Sequence, residues 1–494
     1  MERKRDVYIR NVKKFLKLYF KNKSGIAGLM IIAFFLSMGL LAPYLTPYDP
    51  LYTYGLADFK AKPEWLDLSG TLPRNMYPVA DPGFTGQDAL KNWLIISPSS
   101  ATVAWNGNEG YLGSAETGLG SGPGSILVAA ANHLDTQSNE TVTLECVFKY
   151  PYSPPGRFSL SIAYKSVVKG DAEYAVSLSL GSNESGDYKL WETGTRTDSL
   201  NWSTPSPPID SNDAALKLKL FHSILVDFGQ TVFPKPGTYH IIVRIWVSES
   251  KDSEVRVFLD DIRLRIWGEV FGLLGTDIYG RDIFTQLTYG TRLSFLIGVL
   301  SAVVATFFGL IVGLVSGYMG GLVDEVLMRI NDILLTIPAL PLLMVIVAVI
   351  GPSVYTTVIL IGFLGWMSIA RLIRSQVITL KEKTFVEAAR ASGGSAFYIM
   401  VKHLIPSVMT MAYSQLALTV PSAIIQEAAL SFLGLGDPYV QTWGRMLHDV
   451  EYFNAIYQWW WAIPPGVCIA LLSLAFVLVG HALDEVFNPK LRKR

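Results

Sequence analysis

The chain has 494 residues, half of them hydrophobic and only 17% charged, with equal numbers of Lys/Arg and Asp/Glu. Mean hydropathy is positive, which argues against an ordinary soluble protein, and the zero net charge gives no ground for a nucleic-acid-binding role. Two cysteines, Cys146 in a polar stretch and Cys468 in an apolar block, exclude a disulfide framework.

The chain opens with nine Lys/Arg against two acids in its first 24 residues, and an apolar run follows over 25–45. A basic segment before an apolar run also fits a secretory signal. Here the run is long enough to cross a bilayer and ends in Ala42-Pro43-Tyr44 without a small-x-small cleavage site, so it reads as a retained anchor. Residues 46–273 read as a polar insert, with several alternating runs over about 60–270: Thr141–Tyr150, Arg157–Tyr164, Tyr174–Leu180, Leu216–Leu220, Tyr239–Val247 and Val255–Trp267. Alternation with period two, broken by turn signals such as Pro154-Pro155-Gly156, predicts an antiparallel β-sandwich. The Gly118-Leu-Gly120-Ser-Gly122-Pro-Gly124 run precedes a strand-like segment instead of a helix and contains proline, so it reads as a loop and not as a dinucleotide site. Asn139, Asn183 and Asn201 each begin an Asn-x-Ser/Thr triplet, and all three fall in the insert. They are possible glycosylation acceptors.

Five further apolar segments are expected within 274–484, over 291–317, 333–351, 354–372, 404–433 and 461–483, which makes six transmembrane helices in all. The N-terminus, the stretch 371–402 and the tail 485–494 are basic, whereas the loop after the fifth span is acidic. Lys and Arg favour the cytoplasmic side, so both termini are placed in the cytoplasm and the insert outside. The intervening loop 318–332 is slightly acidic and fits this pattern least well. Gly309, Gly313 and Gly317 form a small-xxx-small row suited to close helix packing. Pro338 and Pro341 should kink the third span. Glu427 is a carboxylate inside the fifth span, either a functional polar site or a helix-to-helix bond.

The loop of about 371–403 carries the most specific pattern. Thr384 followed by Glu387 fits a capping box, the Ala-rich turn favours helix, and Gly393-Gly394 stops it. A short helix on the cytoplasmic side is the expectation. No Gly-x-x-x-x-Gly-Lys-Ser/Thr occurs, and no His/Cys cluster has metal spacing.

Glu387-Ala388-Ala389, Gly393 and Pro406 resemble the EAA loop of permease subunits of ATP-binding-cassette importers, and the His403-Leu-Ile-Pro406 ending is similar to the dipeptide/oligopeptide branch. Leu274–Asp282, Glu427–Gly436 with Trp443-Gly444, and Pro47-Tyr48-Asp49-Pro50 also resemble segments of that branch, the last that of its C-type subunit. Gly480-His481 and Asn488-Pro489 depart from its usual Gly-Asp and Asp-Pro. The resemblance implies a permease fold and import of peptides by alternating access. It implies a second permease subunit, two cytoplasmic ATPases holding ATP and magnesium, and an external solute-binding protein as partners. Glu387, Ala388, Ala389, Gly393 and Pro406 would be the ATPase-coupling residues, with Glu387 alternatively a cap alone. No cofactor on this chain and no catalytic residue are expected. Val257–Leu264 and Pro236–Tyr239 resemble the closing strands of jelly-roll carbohydrate-binding modules. Two other readings therefore stay open: the same transporter type importing oligosaccharides such as β-glucosides, or a membrane-anchored glycan-binding surface protein.

Overall fold

The computed structural model describes residues 17–111, 124–132 and 138–487. The basic N-terminus up to residue 16, the tail from 488 and the glycines at 118, 120 and 122 lie outside the described residues. The chain divides into two compact units, one formed by Met1–Tyr54 with Arg281–Arg494 and the other by Gly55–Gly280. The sequence boundaries at 46 and 273 are thereby moved. Residues 274–280 belong with the strands because Thr276 Oγ1 donates to the Asp58 carbonyl and accepts from the Ala61 amide.

In the helical unit, α1 (Lys23–Leu40) is capped by Asn22, whose side chain accepts from the Gly25 amide. A four-residue helical turn, Ala42–Leu45, follows it. Gly25 and Gly28 press this helix on the last one, where a Cβ would lie 2.7 Å from Ala482 Cβ and 2.6 Å from the Ala475 carbonyl oxygen.

The second unit stacks two antiparallel sheets around one apolar core. Its strands are β1 (Leu94–Ile96), β2 (Ala101–Asn106), β3 (Ser125–Asn132), β4 (Ser138–Tyr150), β5 (Phe158–Lys169), β6 (Ala172–Ser182), β7 (Gly186–Glu192), β8 (Leu200–Ser203) and β9 (Ile209–Asp210). They are completed by β10 (Gly237–Glu249) and β11 (Ser253–Ile266). One sheet has the order β1-β4-β10-β6-β7, and the other β2-β3-β11-β5-β8 with β9 beside β5. Alternation sets the faces: Val142, Leu144, Cys146, Phe148 and Tyr150 of β4 point inward beside Ile241, Val243 and Ile245 of the neighbouring β10. Both cysteines are free and buried.

Leu216–Leu220, expected as a strand, is part of helix α2 (Ala214–Phe221). The Asp213 carboxylate caps it by accepting from the Ala215 amide. Leu216 and Leu220, four apart, share the face turned to the core, while Leu218 is exposed. A five-residue window of alternating Leu and Lys is too short to separate period 2 from period 3.6, and the cap with strong helix formers wins. A second short helix, α3 (Phe228–Val232), buries Phe228 in the same core.

The helical unit continues with α4 (Ile283–Met319), α5 (Gly321–Thr336), α6 (Ala339–Ile350), α7 (Val354–Lys381), α8 (Thr384–Ala391), α9 (Ile405–Leu430), α10 (Trp443–Tyr452) and α11 (Trp459–Phe487). Five helical stretches are long and apolar enough to cross a membrane, or six if the bent pair α5–α6 counts as one. That pair is the principal departure from the sequence expectation. The third segment is not one helix over 333–351, because α5 and α6 meet at 88°. Pro338 forces Ile337 out of the helical region, to φ −80° and ψ 126°. Pro341 sits in the first turn of α6, where a missing amide hydrogen costs no intrahelical bond. The stretch 318–332, expected as a loop, is mostly α5, held to α7 by Arg374 on Asp324 through two bonds of 2.5 Å and by Arg371 on Asp332 at 2.6 Å.

Helices α4 and α7 pack closely along a row of glycines. A Cβ on Gly309 would lie 2.7 Å from Ile369 Cβ, one on Gly313 2.5 Å from the Ala370 carbonyl oxygen, and one on Gly317 2.8 Å from Val377 Cβ. Gly362 of α7 returns the arrangement against Val304 of α4. Replacing Gly313 by Ala places a methyl against fixed backbone, so the pair must part at a cost of about 1–3 kcal/mol. Gly466→Ala in α11 meets nothing within 4 Å. Thermal melts of the two purified variants should show Gly313→Ala alone melting several degrees lower.

In the strand unit, burial pushes Asp260 up to about 7, helped by the nearby Asp261 and Asp81 charges and opposed by the Tyr111 and Asp261 amides that donate to it. A carboxyl whose folded value exceeds its unfolded value holds its proton between about pH 4 and pH 7 only when folded, so stability falls as pH rises through that window. Asp260→Asn removes the slope. Hydrogen exchange of the β11 amides should accelerate from pH 5 to pH 7, after correction for intrinsic exchange, less in Asp260→Asn than in the parent.

Candidate coupling site

Helix α7 ends at Lys381, and after one turn the chain enters α8. The capping box expected from Thr384 and Glu387 is absent. Lys383 is the cap residue, Thr384 is already helical, and no side chain bonds the first turn. Lys383 supplies instead its carbonyl, which accepts the Val386 amide at 2.9 Å and the Glu387 amide at 3.2 Å. The other end is as the glycine pair predicts. Gly394 donates to the Ala389 carbonyl and Gly393 to the Arg390 carbonyl, each at 3.0 Å, with Gly393 at φ +80°. These two bonds satisfy the last carbonyls of the helix in a Schellman arrangement.

One side chain fixes α8 to the body of the helical unit. Val386 is fully buried in a cluster with Leu314 of α4, Ile373 and Val377 of α7, Ile399, Leu404 and Val408. Burying it contributes about 1.5–3 kcal/mol. Arg390 adds a contact over the Tyr318 ring, 5.9 Å from its centroid. The opposite face is open. Phe385, Glu387, Ala388 and Gly393 are exposed, Ala389 is half-buried, and the Glu387 carboxylate has no hydrogen-bond or ion partner among the described residues. A hollow of about 730 Å³ lies along this face, walled by Phe385, Ala388, Ala389, Gly393, Tyr398 and His403. His403 contacts Tyr398 and Phe385, at ring separations of 5.7 and 6.2 Å. Pro406 is exposed in the first turn of α9, which runs on from Ala396–Ile399 through a π-helical turn, Met400–Leu404.

The other predicted residues lie elsewhere. Glu427 is buried within α9, accepts at 2.8 Å from Ser431 Oγ just past that helix, and is hydrogen-bonded to Thr442, which caps α10. Gly309, Gly313 and Gly317 form the α4–α7 seam described above. Asn139, Asn183 and Asn201 are exposed in the strand unit. Sequence reasoning missed a polar clamp around α10. Arg281 donates to Asp449 at 3.2 Å with both side chains nearly buried, Gln441 to Gln286 at 3.1 Å, and Trp443 Nε1 to the Leu287 carbonyl at 3.1 Å. The signal available was Asp282 before an apolar helix: it caps α4 by accepting from the Thr285 amide and hydroxyl. Among the described residues, no three His, Cys, Asp or Glu side chains form a group able to hold a metal ion.

Apolar helices of membrane-crossing length, closely packed through glycine, with one short helix whose outer face is open, define a helical unit of the membrane-protein class. The family described as the binding-protein-dependent transport system inner membrane component matches residues 305–493, and the N-terminal TM domain of oligopeptide transport permease C matches 12–63. The dipeptide transport system permease protein DppC of Bacillus subtilis is 38% identical over 221 residues, 44% of this chain and 69% of that protein. The oligopeptide permease protein OppC of the same organism is 39% identical over 44% and 72%, and the glutathione permease protein GsiD of Pectobacterium atrosepticum 32% over 51% and 84%. The chain belongs to the dipeptide/oligopeptide permease family of ATP-binding-cassette importers. A solved Family 11 Carbohydrate-Binding Module from Clostridium thermocellum aligns with 37% of this chain and 91% of its own at 15% identity. Its TM-score of 0.19 is too low to bear on the strand unit.

Gly393, two residues past the end of α8, has a backbone conformation that demands glycine. Gly393→Ala meets no steric contact, so strain of about 1–2 kcal/mol is its whole cost. Limited proteolysis should cut residues 391–395 faster in that variant and leave the melting of the remaining helices unchanged.

Proposed function

We infer that this chain is the membrane-embedded half-permease of a peptide importer, and that α8 is the docking helix through which partner ATPases drive it. The carrying observation is α8 itself: it is anchored from beneath by Val386, and its outer face has Glu387 unpartnered and small Ala388 beside a hollow. A helix face of small residues lets a partner approach closely, and Glu387 is placed to meet a cation on it. Exposed ion pairs contribute only about 0–1 kcal/mol, so shape sets most of the affinity. Relatives named for dipeptide, oligopeptide and glutathione transport support peptides as the cargo, in preference to oligosaccharides.

On this reading the bent pair α5–α6 serves as one span, which makes six, and the positive-inside pattern puts both termini and α8 in the cytoplasm. The strand unit then faces outward as a jelly-roll sandwich, and Asn139, Asn183 and Asn201 are accessible there to modification. A homologous second permease subunit, two ATPases holding ATP and magnesium, and an external solute-binding protein complete the transporter. This chain contributes no cofactor site and no catalytic residue. ATP-driven closure of the ATPases draws the two docking helices together and reorients the spans in alternating access. Glu427, held by Ser431 within the span, serves packing in this scheme and is not assigned to the cargo path.

The test is co-purification of the chain with its P-loop ATPases and the peptide-stimulated hydrolysis of the assembled complex. Ala388→Trp fills the hollow and should lower ATPase retention at least about tenfold, the effect of losing roughly 1.4 kcal/mol. Glu387→Ala should lower it only a few-fold. Undiminished retention and stimulation in Ala388→Trp would remove α8 from the coupling role.

A further inference from the structure

A groove of about 390 Å³ runs between α1 and α4 on an open side of the helical unit. Its walls are Phe35, Leu36 and Leu40 of α1 with Phe295, Leu296 and Val299 of α4. Leu36, Leu40 and Leu296 are each more than 40% exposed, so the groove opens away from the packed core. At one end the two helices touch: a Cβ on Gly39 would lie 3.2 Å from the Cα of Arg292. Arg292 also lines the groove, is exposed, and has no hydrogen-bond or ion partner among the described residues.

The position of this arginine along α4 is informative. It is the second residue of the apolar segment expected over 291–317, and no further charge follows before Asp324, so the guanidinium sits where the hydrocarbon layer meets the headgroups. This depth follows from chain order and hydropathy, whichever side of the membrane that end faces. Val299 lies seven residues further along, about 10 Å deeper. The groove is thus cationic at its headgroup end and wholly apolar below, which is the chemistry of a phosphate joined to an acyl chain. Guanidinium offers paired donors matched to phosphate oxygens, and the bond strengthens at the edge of a low-dielectric layer.

We propose that this groove is a binding site for one anionic phospholipid, its phosphate on Arg292 and one acyl chain along Phe295, Leu296 and Val299. The charge complement at the mouth distinguishes it from lipid that merely coats an apolar helix. The site does not depend on which cargo the transporter carries.

Native mass spectrometry of the assembled transporter, titrated with phosphatidylglycerol, tests the site. The parent should retain one tightly held lipid, and uncharged diacylglycerol should not replace it. Arg292→Gln should weaken retention about tenfold, as expected for losing a charged hydrogen-bonding partner. Val299→Trp keeps the guanidinium and fills the groove, so it should weaken retention as much, giving a second reading should Arg292→Gln fail to assemble. Equal retention by the parent and Val299→Trp, or equal retention of diacylglycerol, overturns the proposal. So does efficient cross-linking from Leu296→Cys to the second permease subunit, which would give the groove to a partner helix.

Discussion

The close approach of α4 and α7 is the constraint on which the helical unit depends. Within a bilayer, burying apolar side chains against one another gains little, because lipid tails are equally apolar, and association rests on van der Waals packing. Gly309, Gly313 and Gly317 remove the side chains that would hold the helices apart, and Ile369, Ala370 and Val377 fill the space. The seam reaches Leu314 and Val377, and from there one apolar cluster continues into Val386 of α8 and Leu404 and Val408 at the start of α9. Helix α8 is therefore seated on the glycine-packed α4–α7 pair. A force applied to α8 reaches α4 and α7 through packed side chains, with no flexible link between.

The other end of the unit is held by different chemistry. Around α10 the contacts are polar and buried: Arg281 with Asp449, Gln286 with Gln441, and the Trp443 indole on a backbone carbonyl. Such groups are costly to separate without water, so they favour one arrangement over intermediates. Glycine packing at the α8 end and a polar clamp around α10 give the unit two unlike holds. On the mechanism inferred above, the first would transmit motion and the second would have to be released or carried along as a body.

How much of this was legible in the sequence varied with the kind of signal. Long apolar runs located five membrane-length helices, and the Gly393-Gly394 stop was readable because positive φ leaves few alternatives to glycine. The alternating runs around β4, β10 and β11 were readable because one face of each is buried in a continuous core. Short windows failed: Leu216–Leu220 alternates over five residues and yet is helical, its geometry set by the Asp213 cap. Thr384 looked like a cap, but the chain begins α8 one residue earlier, and nothing local to Thr384 records that. Pro338 announced a kink without its size, since the 88° turn depends on where α5 is tied to α7 by Arg371 and Arg374. The EAA-type residues could be found by resemblance, whereas Val386, which orients them, is one valine among many in the sequence. The clamp residues Arg281, Gln286, Gln441 and Asp449 are up to 168 positions apart and carry no pattern that would join them.

The central claim is that the open face of α8 is a seat for a partner ATPase. Replacing Phe385 by a photoreactive phenylalanine in the assembled transporter, irradiating, and identifying the adduct tests this most directly. The account predicts a covalent product with a P-loop ATPase subunit, at higher yield with ATP and magnesium present. Adducts confined to lipid or to this chain itself, in a complex that still contains the ATPases, would contradict it.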